Sequence, residues 1–213
     1  MKSVVKIIWF IGFSLLPVCA FAQWTSTYET GHDNRIGIGA HVSHARINDS
    51  EMTINGLSVD YEFDDVPGFG INLVMSLNEF LSLEFCIDSM SKSDAHINIA
   101  DQKTKIGEFS TIPVTFGAKF HLPTDTIFRP YFGMGIGYYF NEFDRADNPL
   151  MPGSMAIDDA FGFHYSFGTD LWINRVENTA MNFDIKYLKP DTENDSIDWD
   201  AWNFGIGITY YFQ

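Results

Sequence analysis

The chain has 213 residues, 46% apolar, 16% aromatic and only 19% charged, a composition that supports one folded domain and excludes intrinsic disorder. Its 28 acidic residues against 13 lysines and arginines give a formal charge of -15, which removes the cationic surface that a nucleic-acid partner needs. Two cysteines, Cys19 and Cys86, make no disulfide framework, and no Cys/His cluster has the spacing of a structural metal site.

Residues 1–22 read as a signal peptide, with Lys2 and Lys6 at the positive end, an apolar run from Ile7 to Leu16, and Ala20-Phe21-Ala22 as a small-x-small cleavage site before Gln23. The run is too short for a membrane span and is broken by Gly12 and Pro17. Leu16-Pro17-Val18 ahead of Cys19 is too bulky for a lipoprotein signal. The mature chain is expected to span residues 23–213 and to leave the cytoplasm.

From there on the periodicity is one of alternation, bulky apolar residues taking every second place. Eight segments follow in order: Arg35 to Ile47, Val66 to Leu77, Leu81 to Met90, Phe109 to Phe120, Arg129 to Phe140, Phe161 to Ile173, Ala180 to Leu188, and Trp202 to Phe212. In the fifth, Phe132, Met134, Ile136 and Tyr138 oppose Tyr131, Gly133, Gly135 and Gly137; in the last, Phe204, Ile206 and Ile208 oppose Asn203, Gly205 and Gly207.

The connections alternate as well. Segments two to three, four to five and six to seven are joined by a few residues, whereas Asn48 to Asp65, Ser91 to Glu108, Asn141 to Ala160 and Lys189 to Ala201 are long and acidic. Short turns on one side and long loops on the other are the pattern of an outer-membrane barrel with both chain ends in the periplasm. Volume decides which face is inside. An eight-stranded barrel has little interior room, so the bulky face would overpack the lumen while the Gly, Ser, Thr and Asn face fits it. The expected fold is therefore all-β: an eight-stranded antiparallel transmembrane β-barrel with short periplasmic turns and long acidic external loops, closed so that no backbone edge meets lipid.

Three runs carry a family resemblance: Phe128-Arg129-Pro130-Tyr131-Phe132-Gly133-Met134-Gly135-Ile136-Gly137-Tyr138, Gly168-Thr169-Asp170-Leu171-Trp172-Ile173-Asn174, and Asp200-Ala201-Trp202 leading to Tyr210-Tyr211-Phe212. With Leu83-Glu84 and Ile112-Pro113 they resemble the OmpW family of small outer-membrane proteins. The chain departs from that pattern at Ala201, where the family usually has proline, in lacking Thr-Pro-Phe after the third strand, and in ending on Gln213. The resemblance implies a passive conduit in the bacterial outer membrane that takes small hydrophobic molecules into the outer lumen and releases them sideways into the bilayer, without catalysis or cofactor.

Strand direction puts lumenal Arg35, Glu84, Lys119, Arg129 and Asp170 near the periplasmic end and Asp184 somewhat above. Paired, they would form a charge ring closed to ions. Above them, Ala45, Met90, Tyr139, His164 and Leu188 offer a milder, outward-open hydrophobic pocket. A structural or adhesive surface barrel is the alternative. A lipid A deacylase built on His164, Ser166 and Glu177 is a distant third, because alternation turns His164 and Ser166 away from lipid. The expected partners are outer-membrane lipids and small hydrophobic molecules, with divalent cations considered for the acidic run Asp191, Glu193, Asp195, Asp198 and Asp200, although it lacks the glycine turn of a calcium loop.

Overall fold

The structure is a computed structural model and describes residues 35–54, 57–99, 102–124, 126–145, 158–173, 178–191 and 199–212. The expected signal peptide lies outside the described residues. Ten strands follow in chain order: β1 (Arg35–Ile47), β2 (Ser50–Ile54), β3 (Leu57–Phe63), β4 (Val66–Ser76), β5 (Leu81–Ile99), β6 (Gln102–His121), β7 (Phe128–Arg145), β8 (Ala160–Trp172), β9 (Thr179–Asp191) and β10 (Ala201–Phe212).

Eight of them close a ring in the order β4-β1-β10-β9-β8-β7-β6-β5, which returns to β4, and every pairing is antiparallel. Closure satisfies the backbone around the whole circumference, the condition for strands to exist in hydrocarbon. The faces follow from the period of two. Val42 and Phe69 point outward at 60% and 64% exposure, while Ala45, Tyr139 and Leu188 point inward at 0%. The lumen is narrow enough that its glycines are steric requirements: a Cβ on Gly135 would strike the Phe116 carbonyl oxygen and the His164 ring.

Two of the expected external loops are not loops. Within Asn48 to Asp65, β2 and β3 form a hairpin, and β3 pairs with β5 in the register Tyr61↔Ile97 and Phe63↔Ala95. Ser91 to Glu108 is spanned by the outer arms of β5 and β6. The cause is burial: Tyr61, Phe63, Ala95, Ile97, Ile106 and Phe109 are all buried in one cluster over the barrel mouth. Register shifts in the β5/β6 ladder between Met90 and Ser93 and between Ala95 and His96 change which residues face inward, so strict alternation does not carry through. The other two stretches begin and end as strand, β7 reaching Arg145 and β9 reaching Asp191, and their middles, 146–157 and 192–198, lie outside the described residues.

Aromatic side chains mark both rims of the outward face, as at a water–lipid interface. Trp202 and Tyr187 stack at 4.8 Å near the external rim, and Tyr210 meets Phe212 edge-on at 5.3 Å near the periplasmic one. The β4–β5 turn is fixed by Asn78, whose Oδ1 accepts from the backbone N–H groups of Phe80 (2.8 Å) and Leu81 (2.9 Å).

Candidate functional site

The lumen is organised in three tiers. At the periplasmic mouth, Arg35 lies over the Trp172 ring at 5.7 Å, Trp172 packs on Tyr211 at 5.1 Å, and Arg129 Nη2 donates to the Glu79 carbonyl oxygen at 2.7 Å. Just above, the buried Asp170 carboxylate accepts from Asn182 Nδ2 at 2.7 Å and faces His121 Nδ1 at 3.8 Å.

The middle tier is a lattice of buried charges. Lys119 Nζ donates to Glu84 Oε2 at 2.5 Å, and Asn72 Nδ2 donates to the same oxygen at 2.9 Å. Lys119 also sits 4.5 Å from the centre of the Tyr131 ring, whose hydroxyl donates to Asp184 Oδ2 at 2.6 Å. One layer higher, Lys186 Nζ lies 3.6 Å from Asp88 Oδ2, and His41 Nε2 lies 2.6 Å from Asp88 Oδ1. Cys86 Sγ donates to Asp88 Oδ1 at 3.4 Å, which accounts for the thiol as a buried hydrogen-bonding side chain. Among these groups lies a cavity of about 30 Å³, lined by Glu84, Lys119, Asp184 and Lys186 among others, with room for little more than a water molecule.

The six charges singled out from the sequence therefore do not make one ring. Glu84 and Lys119 pair directly, and Asp184 joins them through Tyr131. Arg35 and Arg129 lie at the mouth on Trp172 and Glu79. Asp88, Lys186 and His41 complete the lattice; the alternation already placed them on the inner face, but their heights depend on strand stagger around the ring, which one sequence does not reveal.

The upper tier is apolar. Ala45, Met90, Tyr139 and Leu188 meet in one buried cluster with Phe63, Phe109 and Trp199. His164 lies below it, beside Gly117 and Gly135. The pocket expected to open outward is filled: Trp199, 2% exposed, stacks edge-on against Phe109 at 5.2 Å and Tyr139 at 5.6 Å. The neighbouring Asp200 holds this plug in place. Its backbone carbonyl accepts from the Asn48 N–H at 2.9 Å, and its carboxylate accepts from Asn48 Nδ2 and from the Tyr187 hydroxyl, the latter at 2.5 Å. Asp200 is thereby committed to protein partners rather than to a cation, and Glu193, Asp195 and Asp198 lie outside the described residues. So does Glu177, while His164 and Ser166 point into the lumen at 5% and 2% exposure.

One seam of the wall beside the upper tier is incomplete. Along β5 and β6 the pairing passes from Ile87↔Val114 to Met90↔Thr111 without the steps between. The gap falls at Pro113, whose ring nitrogen has no hydrogen to donate. On its other side Pro113 stays in register with Tyr139 of β7.

Comparison with known proteins places this architecture. The OmpW family model matches residues 32–212. An outer-membrane protein of Sinorhizobium fredii, y4mB, is 26% identical over 120 residues, half of this chain, so that the chain spans about half the length of this curated relative. Among solved structures, OprG from Pseudomonas aeruginosa superposes with a TM-score of 0.67 at 18% identity, covering 85% of this chain and 97% of that one. OmpW from Escherichia coli gives 0.54 at 18% identity over 86% and 100%, and AlkL in lipid bilayers gives 0.58 at 15% over 88% and 94%. These similarities are of fold. The chain belongs to the OmpW family and is an eight-stranded β-barrel of the bacterial outer membrane.

Proposed function

We propose that the barrel, exported with residues 1–22 removed, is a passive conduit for small hydrophobic molecules, without catalysis. Cargo replaces the packing of Trp199 in the upper lumen and leaves sideways between β5 and β6. The observation that carries this reading is the placement of the broken seam at Pro113 directly beside the apolar tier, with Met90 belonging to both. Below that tier the Glu84–Lys119 and Asp88–Lys186 pairs leave an apolar guest no favourable route downward, since separating or desolvating them is costly. Of the ring's ladders, that between β5 and β6 is the one whose run of pairs is interrupted among the described residues, and the interruption at Pro113 lies at the height of the apolar tier.

The test is influx of an uncharged hydrophobic fluorophore into cells carrying or lacking the protein. Influx should rise with the wild type. It should stop when Met90→Cys and Thr111→Cys, directly opposed across the seam, are oxidised to a disulfide in a Cys86→Ser background, and return on reduction. Equal influx with and without the protein would favour a structural or adhesive surface barrel, for which the closed plug at Trp199 is the supporting feature.

A further inference from the structure

Three lumenal side chains of different chemistry converge where β1, β4 and β5 lie side by side. His41 of β1 and Asp88 of β5 are both in register with Gly70 of β4, and Cys86 lies two residues before Asp88 on the same inward face. A ring nitrogen of His41, Sγ of Cys86 and a carboxylate oxygen of Asp88 all lie within 4.8 Å of one another. Glycine at position 70 is what lets them meet, since a Cβ there would strike both Asp88 Oδ1 and the His41 ring. No spacing along the chain announces the group, because β4 separates the histidine from the other two.

Two features set the group apart from an ordinary hydrogen-bonded cluster. Asp88 is 2% exposed, yet its Oδ2 accepts no hydrogen bond and stands 3.6 Å from Lys186 Nζ, so this buried carboxylate has acceptor capacity left for a further partner. His41 and Cys86 also border the cavity of about 30 Å³, which has room for one ligand water. Charge points the same way. Within the middle tier, among the described residues, the carboxylates of Glu84, Asp88 and Asp184 face two ammonium groups, Lys119 and Lys186. A divalent ion held by an ionised Cys86 adds one net positive charge and balances the tier.

We propose that His41, Cys86 and Asp88 bind Zn²⁺ in the lumen, with a water in the fourth position. Imidazole, thiolate and carboxylate together suit Zn²⁺, whereas Mg²⁺ and Ca²⁺ take oxygen ligands. Donors around a tetrahedral zinc stand roughly 3.3 to 3.6 Å apart. Cys86 Sγ is already 3.4 Å from Asp88 Oδ1, and His41 Nε2, at 2.6 Å, has to draw back by about 0.7 Å. His41 is the least buried of the three and borders the cavity, so it has space to do so. The ion replaces the two hydrogens that converge on Oδ1: the thiol proton leaves to solvent, and neutral His41 keeps its proton on Nδ1. Lys186, beside Oδ2, becomes the outer partner of the ligating carboxylate. Because β1, β4 and β5 are neighbours, the site is complete before the ring closes and is loaded during folding. The bound ion ties β1 to β5 across β4.

The experiment folds the untagged full chain from urea into detergent with Co²⁺ as an optical stand-in for Zn²⁺, removes loose ions on a desalting column and records absorption. The chain carries Cys19→Ser, so that Cys86 is its only thiol. Thiolate-to-cobalt charge transfer should appear in the near ultraviolet. Equimolar Zn²⁺ present during folding should suppress it, and excess Mg²⁺ in its place should not. Cys86→Ser, which keeps a donor to Asp88, should abolish the band, and His41→Gln should weaken Co²⁺ binding about 100-fold, the upper end of what losing even an outer partner costs. The band also tells this site from Asp64, Asp94 and His96 on the external arms, which come together without a thiol. Folding of each variant is checked by its heat-modifiable gel mobility. No band in the folded chain, a band undiminished by Cys86→Ser, or one that excess Mg²⁺ removes, would overturn the proposal.

Discussion

Lys119 and Glu84 meet at 2.5 Å in the middle of the lumen, both less than a tenth exposed, and are the closest buried ion pair among the described residues. Charges this deep are tolerated because each answers another. Replacing Lys119 by Met leaves the Glu84 carboxylate unpaired and should cost about 3 to 5 kcal/mol, whereas Lys119→Met with Glu84→Leu should recover most of that loss. Urea unfolding in lipid vesicles, followed by tryptophan fluorescence, reads both values. A double variant as unstable as the single one would mean that the pair is not the unit of stability.

The middle tier fills the lumen below the Trp199 packing with buried side chains. Changing Glu84, Asp88, Lys119 and Lys186 together to Ala removes both buried ion pairs, and with them three of the side chains that line the cavity of about 30 Å³. Planar-bilayer conductance should then rise above that of the unmodified barrel. Hydrophobic influx should survive, because the proposed exit lies higher, at Pro113. Unchanged conductance would place the barrier in the apolar tier instead.

The lumenal glycines are not equivalent. Gly205→Ala meets nothing nearer than 3.8 Å and should be nearly neutral, while Gly135→Ala drives a methyl onto the Phe116 carbonyl and should cost about 1 to 3 kcal/mol. Gly207, which alternation alone would treat as a free lumenal position, belongs to the second class, since its Cβ would stand 2.6 Å from that of His41. Denaturant midpoints of the three variants check the order.

The external arms should loosen in acid. A hydrogen bond from Lys103 holds the Glu62 carboxyl below its ordinary value of 4.5, and Lys105, then Lys92, do the same for Glu108. A depressed carboxyl pKa stabilises the folded arm above the unfolded value, and that contribution is lost as pH falls through the folded one. Amide exchange in β3 and in the outer parts of β5 and β6 should therefore accelerate, relative to the intrinsic rate, below about pH 4.5, the ordinary glutamate value. Glu62→Gln with Glu108→Gln should abolish that pH dependence. Exchange protection that is constant down to pH 3 or so in the wild type would show that these exposed pairs contribute nothing measurable.

Most of the membrane ring was legible in the sequence because a strand's side chains alternate with a period of two, and lipid outside and a small lumen inside demand opposite residue sizes. Phe132 to Tyr138 and Phe204 to Ile208 state that rule without exception. What eluded it has physical causes. Tyr61 and Phe63 lie in an acidic stretch, and the strand that buries them follows a register shift at Met90/Ser93 that breaks the alternation. Asp88 and Lys186 sit on strands β5 and β9, which are not neighbours in the ring, so their meeting depends on stagger and tilt rather than on any spacing along the chain. Trp199 offered no signal at all, since it lies beyond the alternating segments and acts through a single inward turn of its side chain.

The pairing of β1 with β10 sets the order of assembly. Ile36 lies opposite Phe212, so the first described strand has no partner on one side until the last has left the ribosome and crossed the inner membrane. No shorter circle is available, because each remaining hairpin holds only its neighbours. Until closure, two bare edges face solvent, where they invite pairing with other chains. A contact of such long sequence separation makes folding slow as well. The same seam that leaves the finished barrel without an edge thus obliges the unfinished one to travel the periplasm in the keeping of a chaperone.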